Sequence, residues 1–153
     1  MSLQIASSAF SDEDRIPSEF TADGPDRSPQ LTWSSVPDET MSLVLICDDP
    51  DAPMGTWVHW VYYNMPAEMT ELPEGVAPQP EPPAGGIQGK NDFGRIGYGG
   101  PSPPPGKPHR YFFKLYALDA VLDLGPGATK AEVERAMDNH ILDSGETVGT
   151  YQR

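Results

Sequence analysis

The residues of this chain best suited to chemistry fall in two groups. The first is Asp49-Pro50-Asp51-Ala52-Pro53, followed by Trp57-Val58-His59-Trp60. The second is Gly97-Tyr98-Gly99-Gly100-Pro101-Ser102-Pro103-Pro104-Pro105-Gly106, followed by His109-Arg110-Tyr111. An imidazole gains a proton near neutral pH and then donates from both nitrogens, a phenol donates through its hydroxyl, and a carboxylate accepts. Brought together, these groups would hold a phosphate-like anion, with Asp49 orienting His59 or His109 and tuning its protonation. Proline fixes φ and glycine reaches conformations closed to other residues, so each histidine follows a rigid frame.

Each residue also has a plainer role. A lone histidine among strand aromatics, as His59 is, usually satisfies its nitrogens on the backbone of a core. Asp51 fits an Asx-type turn, whereas Asp49, at the end of an apolar run, is better placed for a pocket. Arg110 points away from Tyr111 and is expected to pair with a carboxylate. Cys47 ends the apolar run as an inert core thiol, and His140 reads as surface or structural. No tight ligand spacing suggests a metal, no Gly-x-Ser-x-Gly elbow a serine hydrolase, and no Lys-Ser/Thr follows Gly97–Gly100 as in a nucleotide loop. No cofactor or metal is expected. Two alternatives to a binding protein remain: an inhibitor of a protease or kinase that receives a partner's side chain, and a small hydrolase or metal-assisted enzyme using Asp49, Asp51, His59 and His109.

The elements that must position these groups are mostly strands. Residues 41–47 form a continuous apolar run that needs cover on both faces. Residues 57–65 are strongly β-prone; a period of two puts His59, Val61 and Tyr63 on one face and Val58, Trp60 and Tyr62 on the other. In residues 111–118 the same period joins Tyr111, Phe113, Leu115 and Ala117, with His109 on their side. Weaker strands are expected at 30–33 and 147–152. One helix starts at the capping box Thr129-Lys130-Ala131-Glu132 and carries Val133, Ala136, Met137, His140 and Ile141, with Gly145 as its stop. A short helix or turn is expected at 66–72. Residues 73–108 are rich in proline and glycine, yet Ile87, Phe93, Ile96 and Tyr98 recur within them, as suits an ordered functional loop.

The chain has 153 residues, fitting a single domain over 1–153. Its 10 basic and 23 acidic residues give a formal charge of −13, a field that disfavours nucleic acid and anionic membranes. No apolar run is long enough for a transmembrane segment, and residues 1–10 show no secretory signal, so a cytoplasmic protein is expected. One cysteine excludes an intrachain disulfide.

Taken together, Asp49-Pro50-Asp51-Ala52-Pro53, His59-Trp60, and Gly99-Gly100-Pro101 through His109-Arg110-Tyr111 resemble the signature of the phosphatidylethanolamine-binding protein family, in its bacterial and archaeal Raf-kinase-inhibitor-like branch. Asp23-Gly24, Ser28-Pro29-Gln30-Leu31-Thr32-Trp33, Gly89-Lys90-Asn91-Asp92-Phe93-Gly94, Tyr116-Ala117-Leu118-Asp119 and Gly149-Thr150-Tyr151 resemble it too. The resemblance implies a mainly β protein: an antiparallel β-sandwich with Greek-key features and one or two peripheral helices. It implies a non-catalytic pocket for a small anion or phosphorylated ligand, lined by Asp49, Ala52, His59, Gly99, Pro101, His109 and Tyr111. It also implies a cis peptide at Ala52–Pro53 and a homodimer. Ser102 stands where this branch often has cysteine, and nothing after Arg153 corresponds to the C-terminal helix of the eukaryotic members.

Overall fold

A strand with an apolar run such as residues 43–47 must be covered on both sides. The computed structural model, which describes residues 2–153, supplies that cover. Its elements are β1 (Gln4–Ala6), β2 (Leu31–Ser34), β3 (Ser42–Asp49), β4 (Trp57–Pro66), β5 (Glu71–Leu72), β6 (Ile87–Gln88), β7 (His109–Leu118), α1 (Lys130–Met137) and β8 (Ile141–Tyr151), with a 3-10 turn at Ser18–Phe20. β1, β2 and β5 form one sheet; the other runs β6-β4-β3-β7-β8. All named pairs are antiparallel. After β3, β4 and β6 lie side by side, the chain returns over a long connection to place β7 on the far side of β3, the Greek-key order.

β3 is buried at all its positions. Leu43, Leu45 and Cys47 pack between the sheets with Leu31 and Trp33, while Val44 and Ile46 join Val61, Tyr63, Val133 and Met137 in an outer core beneath α1. The faces expected for β7 hold, with Tyr111, Phe113, Leu115 and Ala117 all in the inner core. Residues 73–108 are anchored by buried amides. Gln88 accepts from Trp60 Nε1 and donates to the carbonyls of Ala77 and Gln79, and Asn91 donates to the carbonyl of Gly97. No helix is long and apolar enough to cross a membrane, among the described residues.

Two expectations change. The capping box forms as expected, but α1 stops at Met137: Asp138 leaves helical geometry and Asn139 turns left-handed, with φ of 68°. Ile141 pairs instead with Leu118 in β8, and His140 lies exposed beyond the helix, bonded to Asp119. Gly145 is not a helix stop but a β8 residue, where a Cβ would lie 2.4 Å from the carbonyl oxygen of Leu3, so it admits the chain that leads into β1. Residues 66–72 form the expected turn, closed by Met69 N–H on the Pro66 carbonyl, and then lead into β5. Finally, Ala52–Pro53 is trans, as is every peptide bond among the described residues. The reversal is made by Gly55, which takes a φ of 110° and donates to the carbonyl of Ala52.

Candidate functional site

Simple alternation would send the side chain of His59 to the outer core with Val61 and Tyr63. The register shows why it does not go there. Cys47 faces Trp60 and Asp48 faces Val58, so β4 carries one extra residue, a β-bulge at His59. Val58, expected on the face of Trp60 and Tyr62, instead joins Val61 and Tyr63 in the outer core, while Trp60 lies in the inner one and the His59 ring meets Tyr111 edge-on at 5.1 Å and Phe93 at 5.4 Å. The bulge thus delivers His59 to the end of the inner core.

There His59 is 3% exposed, and Nδ1 lies 2.6 Å from the Gly99 carbonyl oxygen. That oxygen can only accept, so Nδ1 carries the proton and Nε2 is left without a partner among the described residues. Gly99 N–H returns a bond to the His59 carbonyl at 2.9 Å. Burial holds the imidazole below its ordinary value of 6.5, opposed by the Gly99 hydrogen bond and by the charges of Asp49 and Asp26. His59 is therefore neutral at pH 7.

The second histidine is set by Asp49, which is itself 3% exposed. Asp49 Oδ2 lies 2.7 Å from His109 Nδ1, and Oδ1 accepts from Asp51 N–H at 2.8 Å. The Asx turn expected at Asp51 is thus made by Asp49, which also orients His109 rather than His59. Asp51 reaches across instead, accepting from the backbone N–H, Nε and Nη2 of Arg110, each at 2.9 Å. The Arg110 fork lowers the Asp51 carboxyl below its ordinary range and is the ion pair expected of that arginine. Burial, with the charge of Asp49 next, pushes the Tyr111 phenol far above its ordinary value, so it stays a neutral hydroxyl.

A cavity of about 260 Å³ joins Asp49, Ala52, His59, His109 and Tyr111. Gly99 and Pro101 lie behind this wall. A Cβ at Gly99 would sit 2.5 Å from Phe93 Cδ2, so glycine is needed for the Phe93 ring to lie there. Pro101 accepts from Ala22 N–H at 3.0 Å, and Asp26 accepts from Gly100 N–H at 2.8 Å. Sequence reasoning missed Pro53, Met54, Trp57, Phe93, Ser102, Pro103 and Pro104, which also line the cavity. Trp57 stands two positions before His59 on one strand, a signal that could have found it; Phe93 comes from the loop and carried none. Among the described residues, no three His, Cys, Asp or Glu side chains gather as metal ligands would. Asp48, next to Asp49, instead bonds Lys114 and Lys130 on the other side of the strand.

The chain is similar to known proteins over nearly its full length. The family model described as phosphatidylethanolamine-binding protein matches residues 6–152. A UPF0098 protein of Methanothermobacter thermautotrophicus is 52% identical over 151 residues, covering 99% of each chain. One of Pyrococcus horikoshii is 51% identical over 156 residues, covering all of this chain and 78% of its own. Among solved structures, a phosphatidylethanolamine-binding protein homologue of Chlamydia trachomatis superposes with a TM-score of 0.91 at 41% identity, covering 99% of this chain and 98% of its own. Escherichia coli YbcL, described as a member of the mammalian family, superposes at 0.92 with 32% identity, covering 100% and 99%. The chain belongs to the phosphatidylethanolamine-binding protein family.

Proposed function

We propose that this protein is a non-catalytic binder of a small phosphate-like anion, held between His59, His109 and Tyr111. The observation that carries this reading is the shared orientation of the two imidazoles. Each has Nδ1 committed to a buried acceptor, Gly99 or Asp49, so each presents Nε2 to the one cavity that both rings line. Neutral His59 accepts a hydrogen bond from a P–O–H group, His109 Nε2 bonds a second phosphate oxygen, and the Tyr111 hydroxyl adds a donor. Asp49 holds the His109 ring in that orientation. Ser102 lines the same cavity but hydrogen-bonds to neither histidine, so no base activates it as a nucleophile. At about 260 Å³ the cavity suits a small ligand.

The test is calorimetry with inorganic phosphate. Wild-type protein should bind it and His109→Ala should not, with the near-UV spectrum of the fold unchanged. Equal affinity in the two proteins would remove His109 from the site.

A further inference from the structure

The cavity adjoins a second concavity through His109. The same two loops bound both: Ala52–Met54 and Ser102–Pro104 line the cavity, while Asp51 and Lys107–Pro108 line the groove, together with Arg110 and Thr150. The charge in this groove runs against that of the molecule. In a chain of net charge −13 with only 10 basic residues, Lys107 and Arg110 meet here beside His109. The one carboxylate in the groove, Asp51, is already taken by Nε and Nη2 of Arg110. Arg110 Nη1 has no partner among the described residues, and exposed Lys107 has neither a hydrogen bond nor an ion pair. One unpaired ammonium, Lys107, and the spare Nη1 of the Asp51-paired Arg110 thus stand at the edge of a pocket whose lining holds no lysine or arginine.

We infer that the ligand is a small phosphate ester bearing a carboxylate, the phosphoryl group meeting His59 and His109 while the carboxylate lies in the groove against Lys107 and Arg110. The inference rests on the proposed anion pocket and adds the second group to it. A neutral tail would leave Lys107 and Arg110 Nη1 to water. A carboxylate gains a charge-assisted bond to a guanidinium and the field of an ammonium.

Glycerol 3-phosphate and 3-phosphoglycerate test it, because they share a skeleton and differ by a hydroxymethyl against a carboxylate. By calorimetry at low salt, wild-type protein should bind 3-phosphoglycerate about fivefold more tightly, the effect of roughly one solvent-exposed ion pair. That preference should shrink as salt screens the groove and should vanish in Lys107→Gln, an exposed substitution that does not touch the core. Equal affinities in the wild type, or a preference that survives in Lys107→Gln, would overturn the groove while leaving the phosphate pocket standing. If neither compound binds and inorganic phosphate also fails, the pocket assignment falls and the groove with it.

Discussion

Replacing Asp49 by Asn probes the site with little change of volume. The carboxylate is almost fully buried and uses both oxygens: Oδ2 faces His109 Nδ1 at 2.7 Å and Oδ1 accepts from Asp51 N–H at 2.8 Å. An amide can keep only one of these. If its oxygen keeps Asp51, its NH2 faces His109, whose Nδ1 must then accept, moving the ring proton to Nε2 and changing what that nitrogen offers the cavity. If its oxygen keeps His109, two N–H donors face each other across the 49–51 turn. Either way one charge-assisted hydrogen bond is lost, worth about 1.5–3 kcal/mol. At about 1.4 kcal/mol per tenfold, phosphate affinity should fall roughly 10- to 100-fold in Asp49→Asn. Calorimetry with inorganic phosphate reads this directly, and wild-type affinity in Asp49→Asn would refute the idea that Asp49 governs His109.

His59 makes stability depend on pH. Its folded-state value lies below 6.5, so between the two values the unfolded chain binds the extra proton. The contribution of neutral His59 is complete above pH 6.5 and is lost as pH falls toward the folded-state value. Melting temperatures of wild type and His59→Gln should therefore converge on acidification, and parallel profiles would contradict this. Trp60→Phe strands Gln88 Oε1 in a fully buried site and should cost about 1–3 kcal/mol, read as a lower urea midpoint. An unmoved midpoint would show that the Trp60–Gln88 bond contributes nothing. Gly99→Ala should weaken phosphate binding by displacing the Phe93 ring, whereas Gly125→Ala, with open space around its Cβ, should not. Matching affinities for these two variants would separate Phe93 from the site.

Much of the sandwich was legible because burial leaves a periodic trace. The unbroken apolar run before Asp49 announced a central strand, and the inward face of β7 read correctly from Tyr111 to Ala117. Periodicity failed where the backbone broke its own period. The extra residue at His59 carries no compositional mark, since a bulge is defined by what the partner strand does opposite it. The first half of β8 was hidden for a related reason: Ile141, Leu142, Asp143 and Ser144 show no alternation, and their strand identity comes from pairing with β7. His140 and Ile141 happened to continue the helical spacing of Val133 and Met137, but Asn139 turns the chain first. Within the site, Asp49 and the two histidines declared themselves by residue type. Their pairing did not: β3 lies between β4 and β7, and Asp49 takes His109 while the Nδ1 of His59 is engaged by the Gly99 carbonyl.

That strand order also governs the timing of assembly. Asp49 and His59 meet in a local hairpin, but His109 and Tyr111 arrive only when β7 docks along β3, a closure that joins Asp48 to Phe112. Such long-range pairing is slow relative to hairpin formation. No partly folded chain lacking that docking holds both imidazoles. On the proposed reading, a bound anion would count molecules in which β7 has docked on β3, and during refolding the recovery of binding should coincide with that docking rather than with the first gain of strand.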